Sequence, residues 1–483
     1  MDMARRPNIV LVITDQQRFD TIAAAGFGHM ITPNLDRLAR EGVMFTRMYV
    51  TSPSCAPSRA SLFTGLYPHT TGVFRNDERW THTWVNLLAN AGYRCVNVGK
   101  MHTHPFEESF GFHERHVVEN KDRATPRLPF FMDNWDKAFW SHGLEKPSRM
   151  TYARRPDYRE SLGAFVWEPP AHLHSDNFVP ALAAHWIDSW RGTGPFFLEI
   201  GIPGPHPPYD PTPEALEVYK GRDLPAAIWD REDIDSQPTA LKKLREQHLS
   251  VDHDAVVHLD EPTPEQMRRQ REHYCANVTM IDAQMGKLTE ALERRGVLQD
   301  TVILFTSDHG DCLNDHGHSQ KWTMYEGSVR VPAIAWAPGR VAEGRVVEDL
   351  VSLFDLGPTI LELAGIEPPR WMEARSLLPY LGHGEVEPRP FVFAEHAGDR
   401  ILSGTEFMTM IRDQRWKLVH FVDSDEGQLF DMRADPQELR NLWNDSGHEP
   451  VRRALVNEIL AWRIRSDLKT QGWSEALRGL PAR

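Results

Sequence analysis

Two short apolar runs, each ending at an aspartate, constrain this chain more than any other feature. Ile9 to Thr14 is continuously apolar up to its threonine and leads into Asp15-Gln16. Thr301 to Thr306 does the same and leads into Ser307-Asp308-His309. Runs without polar alternation are expected of strands buried on both faces of a mostly parallel sheet. In open α/β sheets, ligands gather outside the carboxyl ends of such strands, which is where both acidic pairs fall. Carboxylate and amide oxygens suit hard divalent cations, and histidine adds a borderline nitrogen. Either pair alone would serve equally well as a turn or helix cap.

The elements between these runs alternate. Pro33 to Gly42 reads as a helix with Thr32 as N-cap and Pro at the first position. Trp84 to Ala91 reads as another, stopped by Gly92, with a strand over 93–98 behind it. Pro195 to Ile200 reads as a strand running into a Pro/Gly-rich turn over 201–208. Val278, Ile281, Met285, Leu288 and Leu292 repeat at helical spacing until Gly296. Residues 211–264 are charged, Pro-containing and weakly periodic, and are expected to form a surface excursion or lid. After Pro388 the pattern shortens to strands over 391–394, 407–412 and 416–422, then a helix over 450–468. The expectation is an α/β fold, a mostly parallel mixed sheet between helices (1–388), with a smaller antiparallel sheet plus helix (389–483).

With 483 residues, 41% hydrophobic and 25% charged, the chain can bury a large core. A net charge of −14 argues against a nucleic-acid partner, so an anionic substrate needs a locally positive site. Four scattered cysteines form neither a zinc spacing nor a disulfide framework, which points to a reducing compartment. The first apolar stretch is too short for a signal segment, and no run approaches the ~20 apolar residues that span a bilayer. A cytoplasmic location without membrane association is therefore expected. Fifteen tryptophans leave room for a homo-oligomeric interface.

A free cysteine ordinarily behaves as a small hydrophobe. Cys55, however, opens the run Cys55-Ala56-Pro57-Ser58-Arg59, with Thr64-Gly65 six residues past the arginine. This run resembles the signature of the type I sulfatases. The resemblance extends to Gly99-Lys100-Met101-His102, to Tyr325 through Pro332, to Asp355 through Gly365, and to Leu429 through Leu442. It implies the alkaline-phosphatase-like fold and conversion of Cys55 to formylglycine by a formylglycine-generating or equivalent maturation enzyme. It also implies hydrolysis of a small anionic sulfate ester.

In that family an Asp-Asp pair and a later Asp-Asn or Asp-His pair bind one divalent ion. The resemblance thus makes Asp15, Gln16, Asp308 and His309, with Cys55, the metal ligands. Gln16 replaces an aspartate and removes one negative charge. Calcium is the expected ion, and the softer Gln and His make manganese the alternative. Arg59, Lys100 and Lys321 are implied to neutralise the nonbridging oxygens. Arg59 lies four residues past Cys55, on the same face if Cys55 begins a helix. His206, in Pro205-His206-Pro207-Pro208, and Lys321 are implied to protonate the departing oxygen. His102 is implied to take a proton from the second hydroxyl of the hydrated aldehyde, so that sulfate leaves by elimination.

Asn76 matches a substrate-contacting position of the related phosphonate monoester hydrolases. Phosphonate monoester or phosphodiester hydrolysis by the same site is the alternative, while Lys100 with His102 favours sulfate. A binding protein on the same fold is disfavoured by the presence of Cys55, Arg59, Asp15, Asp308 and Lys321 together. His69, His104, His316 and His318 are expected to be structural or solvent-exposed. Segments 103–175 and 211–262 are expected to shape the pocket without identifying the alcohol.

Overall fold

The computed structural model describes residues 6–106, 108–119, 132–382, 384 and 386–478, with side chains described up to residue 472. Its strands are β1 (Asn8–Asp15), β2 (Val43–Tyr49), β3 (Arg94–Gly99), β4 (Glu114–Val117), β5 (Phe196–Pro205), β6 (Thr301–Ser307), β7 (Arg330–Trp336), β8 (Arg345–Val347) and β9 (Val351–Ser352) in one sheet. A second sheet holds β10 (Val392–Ala397), β11 (Phe407–Arg412), β12 (Trp416–Phe421) and β13 (Gly427–Asp431). The large sheet runs β4-β3-β5-β1-β6-β7-β2-β8, with β9 also on β2. From β4 to β6 every pairing is parallel, while β7 lies antiparallel to both β6 and β2.

The apolar runs are buried on both faces, as expected. Ile9, Leu11 and Ile13 of β1, with Val302 and Leu304 of β6, pack into one core. Val10, Val12, Ile303 and Phe305 pack into the opposite one. The second core is closed by the helices Ser175–Ser189 and Pro264–Arg294, the latter through Ile281, Met285, Leu288 and Leu292. The first is closed by the helices Cys55–Thr64 and Leu356–Leu363 and by the inner face of the small sheet, including Val392, Ala394, Met408 and Met410. The outer face of that sheet (Phe393, Ile411, Leu418, Leu429) receives Leu455, Ile459 and Trp462 of the terminal helix Glu449–Arg478. The fold is alkaline-phosphatase-like, a mixed and mostly parallel sheet between helices with a separate antiparallel sheet.

Three expectations need correction. The strand read as ending at Ile200 continues to Pro205. Proline cannot donate to a ladder, and the pairing with β1 jumps from Thr14–Ile202 to Asp15–Pro205, an irregularity that absorbs the proline-rich end. The small sheet has a fourth strand, β13, that the pattern did not separate from its flanks. Finally, 211–264 is no detached lid. Its helices Arg231–Ser236 and Thr239–Ser250 bury Ile234, Leu241 and Leu244, and Asp254 beyond them stands beside His206.

Candidate active site

Four adjacent parallel strands deliver their next residues to one edge of the sheet. β1 ends in Asp15-Gln16, β6 is followed by Asp308-His309, β5 by His206, and β3 by Lys100. The Asp308 N–H donates to Thr14 O (3.1 Å) and the Gln16 N–H to Asp308 Oδ1 (3.1 Å), which locks the two acidic corners together. Glycine is required where β3 meets β5. A Cβ on Gly99, at φ 100°, would lie 2.1 Å from Gly201 O, and one on Gly201 would lie 1.8 Å from Lys100 O. That close approach turns Lys100 inward to pair with Asp15.

Cys55 is the first residue of its helix, and the whole helix is buried. Ser54 makes no cap with its own side chain; Asn76 Oδ1 instead accepts from the Ala56 N–H (3.1 Å) and from Ser54 Oγ (3.4 Å). The helix start therefore points Cys55 at the strand edge, and one turn later Arg59 follows on the same face. Burying a guanidinium costs several kcal/mol unless it is well bonded. Arg59, wholly buried, donates through Nε to Asp308 Oδ2 (2.7 Å) and through Nη1 to Lys100 O (2.8 Å), while Nη2 lies 3.8 Å from Asp15 Oδ2.

The Cys55 Sγ lies 3.1 Å from His309 Nε2, 3.0 Å from Lys321 Nζ and 3.7 Å from Asp15 Oδ1. Lys321 also donates to Gln16 Oε1 (3.1 Å), and Gln16 Nε2 donates to Asp311 Oδ2 (2.7 Å). Burial and Asp15 raise the Cys55 pKa, but Lys100, Lys321 and His309 outweigh them and lower it. Burial likewise opposes ionisation of Asp15, yet Lys100, His206, Lys321 and Arg59 hold it well below the usual carboxylate range.

The donor set fits a divalent cation. One ligand atom from each of Asp15, Cys55, Asp308 and His309 lies within 4.8 Å of the others, all buried, with Gln16 Oε1 turned to the same side through Lys321. The His309 Nδ1–H donates to Gly310 O (2.9 Å), which fixes the tautomer and presents Nε2, as in histidines that ligate metals. Against burial, Asp308 and Cys55 raise the His309 pKa, the same negative field that would draw a cation to Nε2.

His206 is held similarly, its Nδ1–H donating to Pro207 O (2.7 Å), so that Nε2 is the atom free to exchange a proton. Asp254 Oδ2 stands 3.7 Å from Nε2 and pairs in turn with Arg149. Burial and then Lys321 push the His206 pKa down to about 3 over the pull of Asp15 and Asp254. His102 is buried two residues past Lys100, at φ 59°, with its N–H donating to Glu119 Oε1 (3.3 Å). Asn76 sits at the start of the Cys55 helix, its oxygen engaged by backbone and serine.

Three residues at this edge escaped the sequence reading. Asp311 holds both Gln16 and the Tyr209 hydroxyl (2.7 Å). Asp254 arrives from a weakly patterned segment that gave no signal. Glu199 gave one, a carboxylate inside an apolar strand. It is buried, bonded by Asn97 Nδ2, and raised to about 8 by burial over the opposing effect of Arg59. Among the histidines expected to be structural, His69 bonds Glu395, His316 bonds Asp233 and His318 bonds Gln237.

A helix-borne nucleophile position, facing a cation cage at the carboxyl edge of an alkaline-phosphatase-like sheet, defines a class of anionic-ester hydrolases. Within that class the chain belongs to the sulfatase family, whose model matches residues 7–366; a second model, N-sulphoglucosamine sulphohydrolase, C-terminal, matches residues 314–465. The chain is 30% identical over 508 residues to an arylsulfatase of Clostridium perfringens (strain 13 / Type A), covering 99% of this chain and 98% of that one. It is 29% identical over 515 residues to the multifunctional alkaline phosphatase superfamily protein PehA of Trinickia caryophylli, covering 99% of each. The phosphonate monoester hydrolase of Agrobacterium radiobacter superposes with a TM-score of 0.80 at 26% identity, covering 95% of this chain and 96% of that one. The protein is a sulfuric ester hydrolase that cleaves sulfate esters to alcohol and sulfate. Family membership implies a metal and a formylglycine generally.

Proposed function

We propose that the strand-edge cluster is the sulfatase centre and that its ion is calcium, with position 55 matured to formylglycine by a dedicated enzyme. The observation that carries this reading is the convergence of Asp15, Asp308 and His309 on Cys55 within 4.8 Å, wholly buried. Asp15, Gln16, Asp308, His309 and position 55 would hold the ion. Bound, ion and formylglycine together supply a hydroxyl nucleophile acidic enough for neutral pH and a Lewis acid for the ester oxygens.

The remaining work falls to the chain's own groups. Arg59, fixed by Asp308 and by Lys100 O, holds the nucleophile helix against the strand ends. Lys100 and Lys321 neutralise charge that grows on the nonbridging oxygens, in a buried setting where such charges act strongly. His206 Nε2 and Lys321 Nζ deliver a proton to the departing oxygen. Burial and Lys321 lower the His206 pKa, and Asp254, 3.7 Å from Nε2, opposes that fall and favours the protonated ring. His102 accepts a proton during release of sulfate. Asn76 sets the helix start and lines the site as a substrate contact.

A second activity toward phosphonate monoesters is supported by Gln16 and His309, which make the cage less anionic than two acidic pairs would, and by the likeness to a phosphonate monoester hydrolase. Rates on an aryl sulfate and an aryl phosphonate monoester, each with calcium or manganese, test both readings. The expected result is a kcat/KM for sulfate at least about tenfold higher, best with calcium; a phosphonate value far above the sulfate value overturns the preference.

Self-association is supported by Leu460, Ile464 and Leu468, exposed at 58%, 62% and 70% on one face of the terminal helix. Sedimentation of Ile464→Glu tests it. Cytoplasmic residence is supported by four buried cysteines, none of them paired, and cell fractionation tests it. A subdomain over 389–483 is supported by the separate four-stranded sheet and the core it makes with the terminal helix.

A further inference from the structure

Glutamine at position 16 leaves the strand-edge cluster short of negative charge. Two carboxylates, Asp15 and Asp308, stand there among three cations, Arg59, Lys100 and Lys321. Affinity for hard cations follows the charge of the ligand set. Gln16 and His309 add none, so a divalent ion needs anionic support from elsewhere.

A further carboxylate lies directly behind Gln16. Asp311 is wholly buried; its Oδ2 accepts from Gln16 Nε2 (2.7 Å) and from the Tyr209 hydroxyl (2.7 Å), and its Oδ1 accepts from the Leu313 N–H (2.9 Å). All three partners donate, the arrangement of an ionised carboxylate. Burial, then Asp311, push the Tyr209 hydroxyl well above its usual pKa, so it stays a donor. Arg18 bonds the Asp311 backbone oxygen (2.7 Å) but pairs its charge with Asp20 and Asp315. A buried carboxylate held by neutral donors is stabilised by positive charge placed within reach.

Asp311 also decides which way Gln16 points. An amide whose NH2 is taken by a carboxylate turns its oxygen the other way. Gln16 Oε1 accordingly faces Lys321 Nζ (3.1 Å), which itself lies 3.0 Å from Cys55 Sγ. The backbone is committed to the same end. Gln16 sits at φ 69°, a left-handed conformation that costs a non-glycine residue free energy and is found at functional sites. Its N–H donates to Asp308 Oδ1 (3.1 Å), and the Tyr274 hydroxyl donates to its oxygen (2.7 Å). Before Asp311, Gly310 passes so close to the chain that a Cβ would lie 1.9 Å from Gly327 O.

We propose that Asp311 is a positioning residue of the metal centre: it aims Gln16 Oε1 at the ion, and the Gln16–Asp311 pair acts as one anionic ligand. This role rests on the reading of the strand-edge cluster as a divalent-metal site. A carboxylate bonded to the far side of a ligand both orients it and strengthens it as a donor to the cation.

Calcium binding to the intact, chelator-stripped protein, read by calorimetry and by the rise in melting temperature, tests this without turnover, with position 55 in one chemical state throughout. Asp311→Asn keeps the shape and removes the charge. Its NH2 must face either Gln16, whose own NH2 then turns to the ion, or the Leu313 N–H, and the calcium Kd should rise at least about tenfold. Gln16→Glu/Asp311→Asn exchanges the two groups, so that the carboxylate meets the ion directly and the amide behind donates to it. This exchange variant should bind calcium at least about tenfold more tightly than Asp311→Asn, a rescue that a merely structural role does not give. A smaller loss in the single variant, or a smaller recovery in the exchange, overturns the proposal. Should Asp311→Asn fold poorly, the exchange variant must still bind calcium within about tenfold of the wild type, and weaker binding contradicts the role. A wild type that binds neither calcium nor manganese overturns the metal reading itself, and this role with it.

Discussion

Two buried ionic clusters in this molecule use the same ingredients and differ in how completely they are satisfied. Behind the small sheet, Lys417 lies 3.2 Å from Glu326 and 2.6 Å from Glu438. The Tyr49 hydroxyl donates to Glu326 (2.9 Å), and the Glu326 N–H donates to Glu438 (2.7 Å). Burial opposes ionisation of Glu326, but Lys417, Arg330 and Arg412 bring it down to about 2. At the strand edge, by contrast, His309 Nε2 stands 3.7 and 3.9 Å from two carboxylates, and Arg59 Nη2 reaches Asp15 only at 3.8 Å. The first cluster is closed and ties two sheets together. The second brings two carboxylates, an imidazole and three cations around the Cys55 side chain, and that convergence of charge suits an ion and an ester.

The two clusters should respond differently to losing a lysine. Lys321→Ala is expected to lower kcat/KM by ~10³-fold, the scale of losing a preorganised charge in a dry site. Its melting temperature should move far less than that of the Lys417 variant, because sites built for binding are seldom optimal for stability. Lys417→Met leaves buried Glu438 without its cation and Glu326 with its arginines alone, and should cost ~3 kcal/mol or more in denaturant unfolding, with kcat retained in the folded fraction. Equal losses of stability in both variants would remove the distinction.

Glu199, beneath Arg59, has a folded pKa near 8 against an ordinary 4.5, raised by burial. The native state therefore holds a proton that the unfolded chain has lost, and stability falls as pH rises from about 4.5 to about 8. Glu199→Gln should flatten that slope, gaining on the wild type by ~1 kcal/mol or more at the alkaline end. Parallel stability curves for the two proteins would mean that Glu199 titrates normally.

Asn76→Ala carries the least expected change. Losing a cap on the nucleophile helix costs ~1 kcal/mol, visible as a lower melting temperature. KM should rise as well if the amide also reads substrate, and an unchanged KM would leave it a capping residue.

Much of the strand edge was legible because the physics there is local. An apolar run that ends in aspartate carries both its burial and its corner, and Asp15 and Asp308 stand where that pattern puts them. Cys55, Ala56, Pro57, Ser58 and Arg59 are legible through the family signature their run resembles, and one helical turn then puts Cys55 and Arg59 on one face. Lys417, Glu326 and Glu438 carry no such sign, since their pairing depends on how two sheets meet. Asp254 is invisible for the same reason, its segment having little period of its own. Gly201 through Pro205 read as a turn because glycine and proline punctuate most chains. Here Gly201 is demanded by the close approach of Lys100, and the prolines lie at a strand end where the ladder has already slipped.

Catalysis by this site depends most directly on the chemical state of position 55. Peptide mass mapping of purified, active protein should find the Cys55 peptide lighter by the difference between a thiol and an aldehyde and reactive toward a hydrazide. Across preparations matured to different extents, kcat on an aryl sulfate should rise in proportion to that aldehyde fraction. Full activity from protein whose position 55 is entirely thiol would contradict it.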